Sequence, residues 1–128
     1  MKRTGLSLMI VVLIMSFGSF DANAFEPIDT VLSYLQALKD GNIEAIKDSI
    51  AGELYKKRKV LLEQNENYSE FLKKIYQDAE FQITKTTAKD DKVFISVAVD
   101  FSGRKTNFTF LLLKNAAGNW KIYEEINE

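Results

Sequence analysis

The chain has 128 residues, of which 46% are hydrophobic, 27% charged and 12% aromatic, with 17 basic residues against 18 acidic ones. That is one globular domain's worth of sequence, and the composition excludes disordered, collagen-like and coiled-coil chains. There is no cysteine and no histidine, which excludes disulfides, zinc knuckles, thiol nucleophiles, imidazole metal sites and a serine–histidine–aspartate triad.

Residues 1–24 read as an export leader. Lys2 and Arg3 form a positive start, and Leu6 to Phe17 form an apolar run. The run is shorter than the roughly 20 residues a membrane-crossing helix needs. Ala22-Asn23-Ala24 is a small-residue cleavage site, with cleavage expected before Phe25. The alternative is an uncleaved N-terminal anchor. No cysteine stands at the junction for lipid attachment. Residues 25–128 are therefore expected free in the periplasm or medium, without a stable membrane anchor. Losing Lys2, Arg3 and Asp21 leaves 15 basic and 17 acidic residues. A near-neutral domain lacks the positive footprint of a nucleic-acid binder.

Glu26 to Asp40 is the first predicted helix. Pro27 sits at its start, and Ile28, Val31, Leu32, Leu35 and Leu38 recur at helical spacing. Asp40-Gly41-Asn42 stops it: glycine takes the left-handed closing position and Asn42 caps the next helix. That second helix covers Ile43 to Ile50, and residues 53–64 make a third by propensity. Ser69 is the expected cap of a fourth helix reaching Ala79, with Phe71, Leu72, Ile75 and Tyr76 as its apolar face.

From Glu80 the period drops to two. Strands are predicted over Phe81–Ala88, Val93–Phe101, Thr106–Lys114 and Trp120–Ile126, joined by Asp90-Asp91, Ser102-Gly103 and a five-residue loop at 115–119. Trp120 and Ile122 are expected on one face. Helices followed by strands make an α+β domain, with N-terminal helices packed on a curved four-stranded antiparallel sheet.

Two stretches carry a resemblance. One is Pro27 to Asn42, with Tyr34-Leu35-Gln36-Ala37-Leu38 ending in Asp40-Gly41-Asn42; the other is Gly118-Asn119-Trp120-Lys121-Ile122. Together with the element order, they resemble the cystatin-like α+β cone of the nuclear transport factor two-like superfamily, especially its small secreted bacterial members of unknown function. The resemblance implies a pocket between sheet and helices. Members use that pocket to isomerise, to dehydrate or to bind, so the fold alone does not assign an activity.

Asp100 with Tyr34 or Tyr55 is the candidate acid–base set, for a proton shuttle beside a carbonyl of the ketosteroid isomerase type. The competing reading of Asp100 is a solvated carboxylate beside the Ser102-Gly103 turn. Leu35, Tyr34, Tyr55, Phe81, Phe94, Phe108, Phe110 and Trp120 are the candidate pocket lining; plain core accounts for most of the aromatic ones. Leu111 and Leu113, opposite Phe110 and Leu112, leave one strand apolar on both faces, a candidate homodimer surface. Lys56-Lys57-Arg58-Lys59 is a basic run, read as the wet side of a helix rather than a lipid contact. No metal and no cofactor are expected. Asp90-Asp91 and Glu124-Glu125 are adjacent pairs that point to opposite faces of a strand. A binding domain for a small apolar ligand or a protein partner is expected ahead of a small pocket enzyme.

Overall fold

The computed structural model describes residues 22–127. Residues 1–21 of the expected leader lie outside these residues, while its expected cleavage site, Ala22-Asn23-Ala24, falls in the first turn of the first helix. Among the described residues the order is α1 (Ala22–Asp40), α2 (Ile43–Ser49), α3 (Gly52–Gln64), α4 (Tyr68–Tyr76), then β1 (Ala79–Lys89), β2 (Lys92–Phe101), β3 (Arg104–Lys114) and β4 (Trp120–Asn127). The four strands form an antiparallel meander in chain order. No helix among the described residues is long and apolar enough to cross a membrane.

The α+β expectation holds. β2 shows why: Val93, Ile95, Val97 and Val99 are buried, and Phe94, Ser96, Ala98 and Asp100 between them are half-exposed. One face of the sheet carries the core and the other faces outward. α1 lies across the inner face, burying Ile28, Val31, Tyr34, Leu35 and Leu38. Asn42 caps α2 as expected, its Oδ1 accepting from the Ala45 N–H at 3.1 Å, while Gly41 takes φ +65°.

Three local expectations change. α1 starts at Ala22, so Pro27 lies inside the helix rather than at its start. Ser69 does not cap α4. Its hydroxyl donates to the Gly41 carbonyl at 2.7 Å and ties α4 to the end of α1. The buried face of α4 is Tyr68 and Leu72, with Tyr76 partly covered, while Phe71 and Ile75 are 55% and 42% exposed. The helix leans on α1 along one stripe, and the apolar residues beside that stripe stay in solvent.

The sheet is irregular where it matters most. The register of β3 against β4 slips between Leu111 and Leu112: Leu112 pairs with Ile122, Leu111 with Glu124, and Phe110 with Glu125. Tyr123 is the extra residue of the bulge. A bulge reverses which face the following residues occupy. Ile122 is therefore buried before it, and Glu125 faces inward after it, beside Phe110; Glu124 and Ile126 point out.

Candidate functional site

The inner face gathers one polar cluster inside an aliphatic and aromatic core. Its members are Tyr34 on α1, Arg58 on α3, Tyr68 and Tyr76 on α4, and Glu125 on β4. Each arrives by a local cause. α3 lies on β4, and its start is fixed by Gly52. That glycine has φ +56°, and a Cβ there would sit 2.4 Å from the Tyr123 ring. The Ala51 N–H donates to the Ile122 carbonyl at 2.9 Å. With α3 seated on the bulge, Arg58 reaches Glu125, which the same bulge has turned inward.

Arg58 Nη2 donates to Glu125 Oε1 at 3.0 Å, with side-chain exposures of 23% and 18%. Arg58 Nη1 donates to the Tyr68 hydroxyl at 3.1 Å, joining α3 to α4. Tyr34 is fully buried and meets Phe110 edge-on, ring centroids 5.8 Å apart. Two buried polar atoms, the Tyr34 hydroxyl and Arg58 Nε, have no hydrogen-bond partner among the described residues. Tyr76 leans on Phe81 and Phe101, at 6.2 and 5.5 Å between centroids.

The electrostatics follow from burial. Removal from water pushes the Tyr34 phenol far above the usual tyrosine value; Arg58 opposes the rise and Glu125 adds to it. Tyr76 is raised for the same first reason, with Glu125 adding to it. Burial by itself would lower the Arg58 value, but Tyr34, Glu125 and Tyr68 outweigh it, and the guanidinium stays charged. Tyr34 is neutral until strongly alkaline pH, so Glu125 is the counter-charge that Arg58 has at neutral pH.

The candidate acid–base set does not assemble. Asp100 is on the outward face of β2, and its carboxylate accepts the Gly103 N–H at 2.6 Å, closing the β2–β3 turn. Tyr55 packs half-buried against the edge of the core, and its hydroxyl donates to Glu63 at the surface, a bond that raises its pKa. Of the candidate lining, Leu35, Tyr34, Phe81 and Phe110 are buried on the inner side, and Phe108 packs on Phe110 at 6.5 Å. Phe94 is on the outer face, paired with Leu111. Trp120 is half-exposed at the rim, with Lys114 Nζ 5.6 Å from its ring. In the basic run Lys56, Lys57 and Lys59 are solvated, but Arg58 turns inward, correcting the wet-side expectation for that residue. Among the described residues no three His, Cys, Asp or Glu side chains gather where a metal could be held.

No protein-family model matches the chain, and no curated protein matches it. Solved structures do. A protein of unknown function from Silicibacter pomeroyi, described as nuclear transport factor two-like, superposes with a TM-score of 0.59 at 14% identity, covering 83% of this chain and 94% of its own. A candidate ketosteroid isomerase from Shewanella frigidimarina gives 0.58 at 16%, covering 78% and 92%. A third, of unknown function, from Shewanella baltica gives 0.59 at 13%, covering 83% and 92%. The chain has the nuclear transport factor two-like fold. At these identities the likeness carries the helices-on-curved-sheet architecture, and the chemistry rests on this chain's own residues.

Proposed function

We propose that the protein is an exported, non-catalytic binding domain that takes a small, largely apolar molecule between the sheet and the helices. The observation that carries this is the Tyr34 hydroxyl: fully buried, with no partner among the described residues. A phenylalanine would fill the same space without the cost of roughly 1–3 kcal/mol that an unpaired buried polar group carries. A hydroxyl in that position is accounted for by a ligand that bonds it. Phe110 meets the Tyr34 ring edge-on, and the buried aliphatic core to which both belong suits an apolar body.

Catalysis of the isomerase type, suggested by the Shewanella frigidimarina neighbour, has less support. It needs a free carboxylate near the tyrosine. Asp100 serves a turn, and Glu125 is committed to Arg58. A second copy of the chain across the outer sheet face, where Phe94, Leu111 and Leu113 lie, belongs to the same reading.

Calorimetry of the exported protein with methyl 2-naphthoate, an apolar body with a carbonyl acceptor for the Tyr34 hydroxyl, tests the binding claim. Saturable one-to-one binding that weakens on Phe110→Ala supports it, and absence of binding removes it. Mass spectrometry of exported protein tests the leader, with a chain beginning at Phe25 expected and a mass including residues 1–24 contradicting cleavage.

A further inference from the structure

The guanidinium inside this fold is already neutralised. Two of its nitrogens are engaged, one by Glu125 at 3.0 Å and one by Tyr68 at 3.1 Å. What remains are two donors without partners, Arg58 Nε–H and the Tyr34 O–H. Both lie around Glu125: Tyr34 packs edge-on against Phe110, the cross-strand partner of Glu125, and Arg58 bonds Glu125 itself. A ligand atom that completes them is an acceptor, and oxygen is the natural one.

Glu125 decides what charge that oxygen can carry. A carboxylate entering here would give up its hydration, approach the carboxylate of Glu125, and share a cation that is already paired. An uncharged carbonyl oxygen, in an ester, amide or ketone, accepts the same hydrogen bonds without those costs. The carboxylate is in place only because the Tyr123 bulge reverses the facing of β4.

We propose that Glu125 sets the charge selectivity of the interior site: with its carboxylate present, the Tyr34 and Arg58 donors take an uncharged oxygen on an apolar body and exclude a carboxylate, and with that charge removed the same donors accept the carboxylate. This rests on the binding function proposed above, and its test separates the two.

Three probes share one apolar body: naphthalene, methyl 2-naphthoate and 2-naphthoate. Each is titrated calorimetrically at neutral pH into the wild-type protein, Glu125→Gln and Tyr34→Phe, with thermal melts confirming that the variants fold. In the wild type the ester binds about tenfold more tightly than naphthalene, from two added hydrogen bonds. The acid binds at least about tenfold more weakly than the ester. Glu125→Gln raises affinity for the acid by about tenfold or more and so reverses or abolishes the preference. Tyr34→Phe lowers the ester-to-naphthalene ratio. Equal binding of acid and ester by the wild type overturns the proposal, as does a folded Glu125→Gln protein that keeps the wild-type ratio. If Glu125→Gln does not fold, the wild-type comparison of acid and ester decides alone. Naphthalene binding with no gain for the ester removes the selectivity claim and leaves the binding function standing. No binding of any of the three removes both.

Discussion

Replacing Arg58 by leucine should be one of the most costly changes available on any helix surface of this protein. The side chain looks superficial in sequence, within Lys56-Lys57-Arg58-Lys59, yet it is only 23% exposed and its partner Glu125 only 18%. Arg58→Leu leaves a largely shielded carboxylate without a cation, and it leaves the Tyr68 hydroxyl without its donor. Removing one member of a buried pair costs about 3–5 kcal/mol. The residual exposure of both groups allows some solvent screening, so the expected loss is about 2–4 kcal/mol. At a slope of about 1–3 kcal/mol/M, the urea midpoint should fall by about 1–2 M. The double change Arg58→Leu with Glu125→Leu should recover most of that loss, because no unpaired charge remains. Equilibrium urea unfolding by circular dichroism at neutral pH measures both. A single-variant loss under about 0.5 kcal/mol, or simple additivity in the double variant, would make the pair an ordinary surface contact with no buried charge to compensate.

Gly52→Ala should cost about 2 kcal/mol or more, since it combines a φ of +56° with a Cβ 2.4 Å from the Tyr123 ring; urea unfolding reports it. Stability should fall in alkali, because Tyr34 keeps its proton in the folded state after the unfolded chain begins to lose it. Its contribution is complete below about pH 10 and declines above it, so Tyr34→Phe should flatten the drop in urea midpoint between about pH 7 and about pH 11. Ile122→Ala, at a fully buried position, should cost about 2–5 kcal/mol and exceed the loss from Trp120→Ala at the half-exposed rim, a ranking that thermal melts decide.

The architecture was legible because it depends on periodicity. The alternation of Val93, Ile95, Val97 and Val99 marks β2, and the sequence Asp40-Gly41-Asn42 marks the α1–α2 corner with its cap. The site was less legible because it depends on an exception to periodicity. Strict alternation places Ile122, Glu124 and Ile126 on one face, and only the bulge at Tyr123 brings Glu125 inward instead. Nothing in the residue types announces a bulge there. The glycine that accommodates Tyr123 is Gly52, 71 positions earlier in the chain. Arg58 was hidden by its lysine neighbours, since a charge run reads as solvated until a buried counter-charge is known. Tyr34 is a sequence candidate as the tyrosine of an acid–base pair, but the residues grouped with it, Asp100 and Tyr55, serve a turn and a surface hydrogen bond. Phe71 and Ile75 fit the helical stripe, yet α4 meets α1 through Tyr68 and Leu72. Stripe width is set by the partner surface, which one sequence does not display.

If the cluster around Tyr34, Arg58 and Glu125 is a ligand site, its unpaired donors must respond when a ligand enters. The most direct measurement follows the Arg58 Nε–H resonance in a proton–nitrogen correlation spectrum while methyl 2-naphthoate is added to the protein. The Nε–H has no partner among the described residues, so its signal should shift saturably on binding, together with backbone signals of Tyr34 and Phe110. An unmoved Arg58 signal would contradict the account, above all if the shifts instead gathered at exposed Phe71 and Ile75.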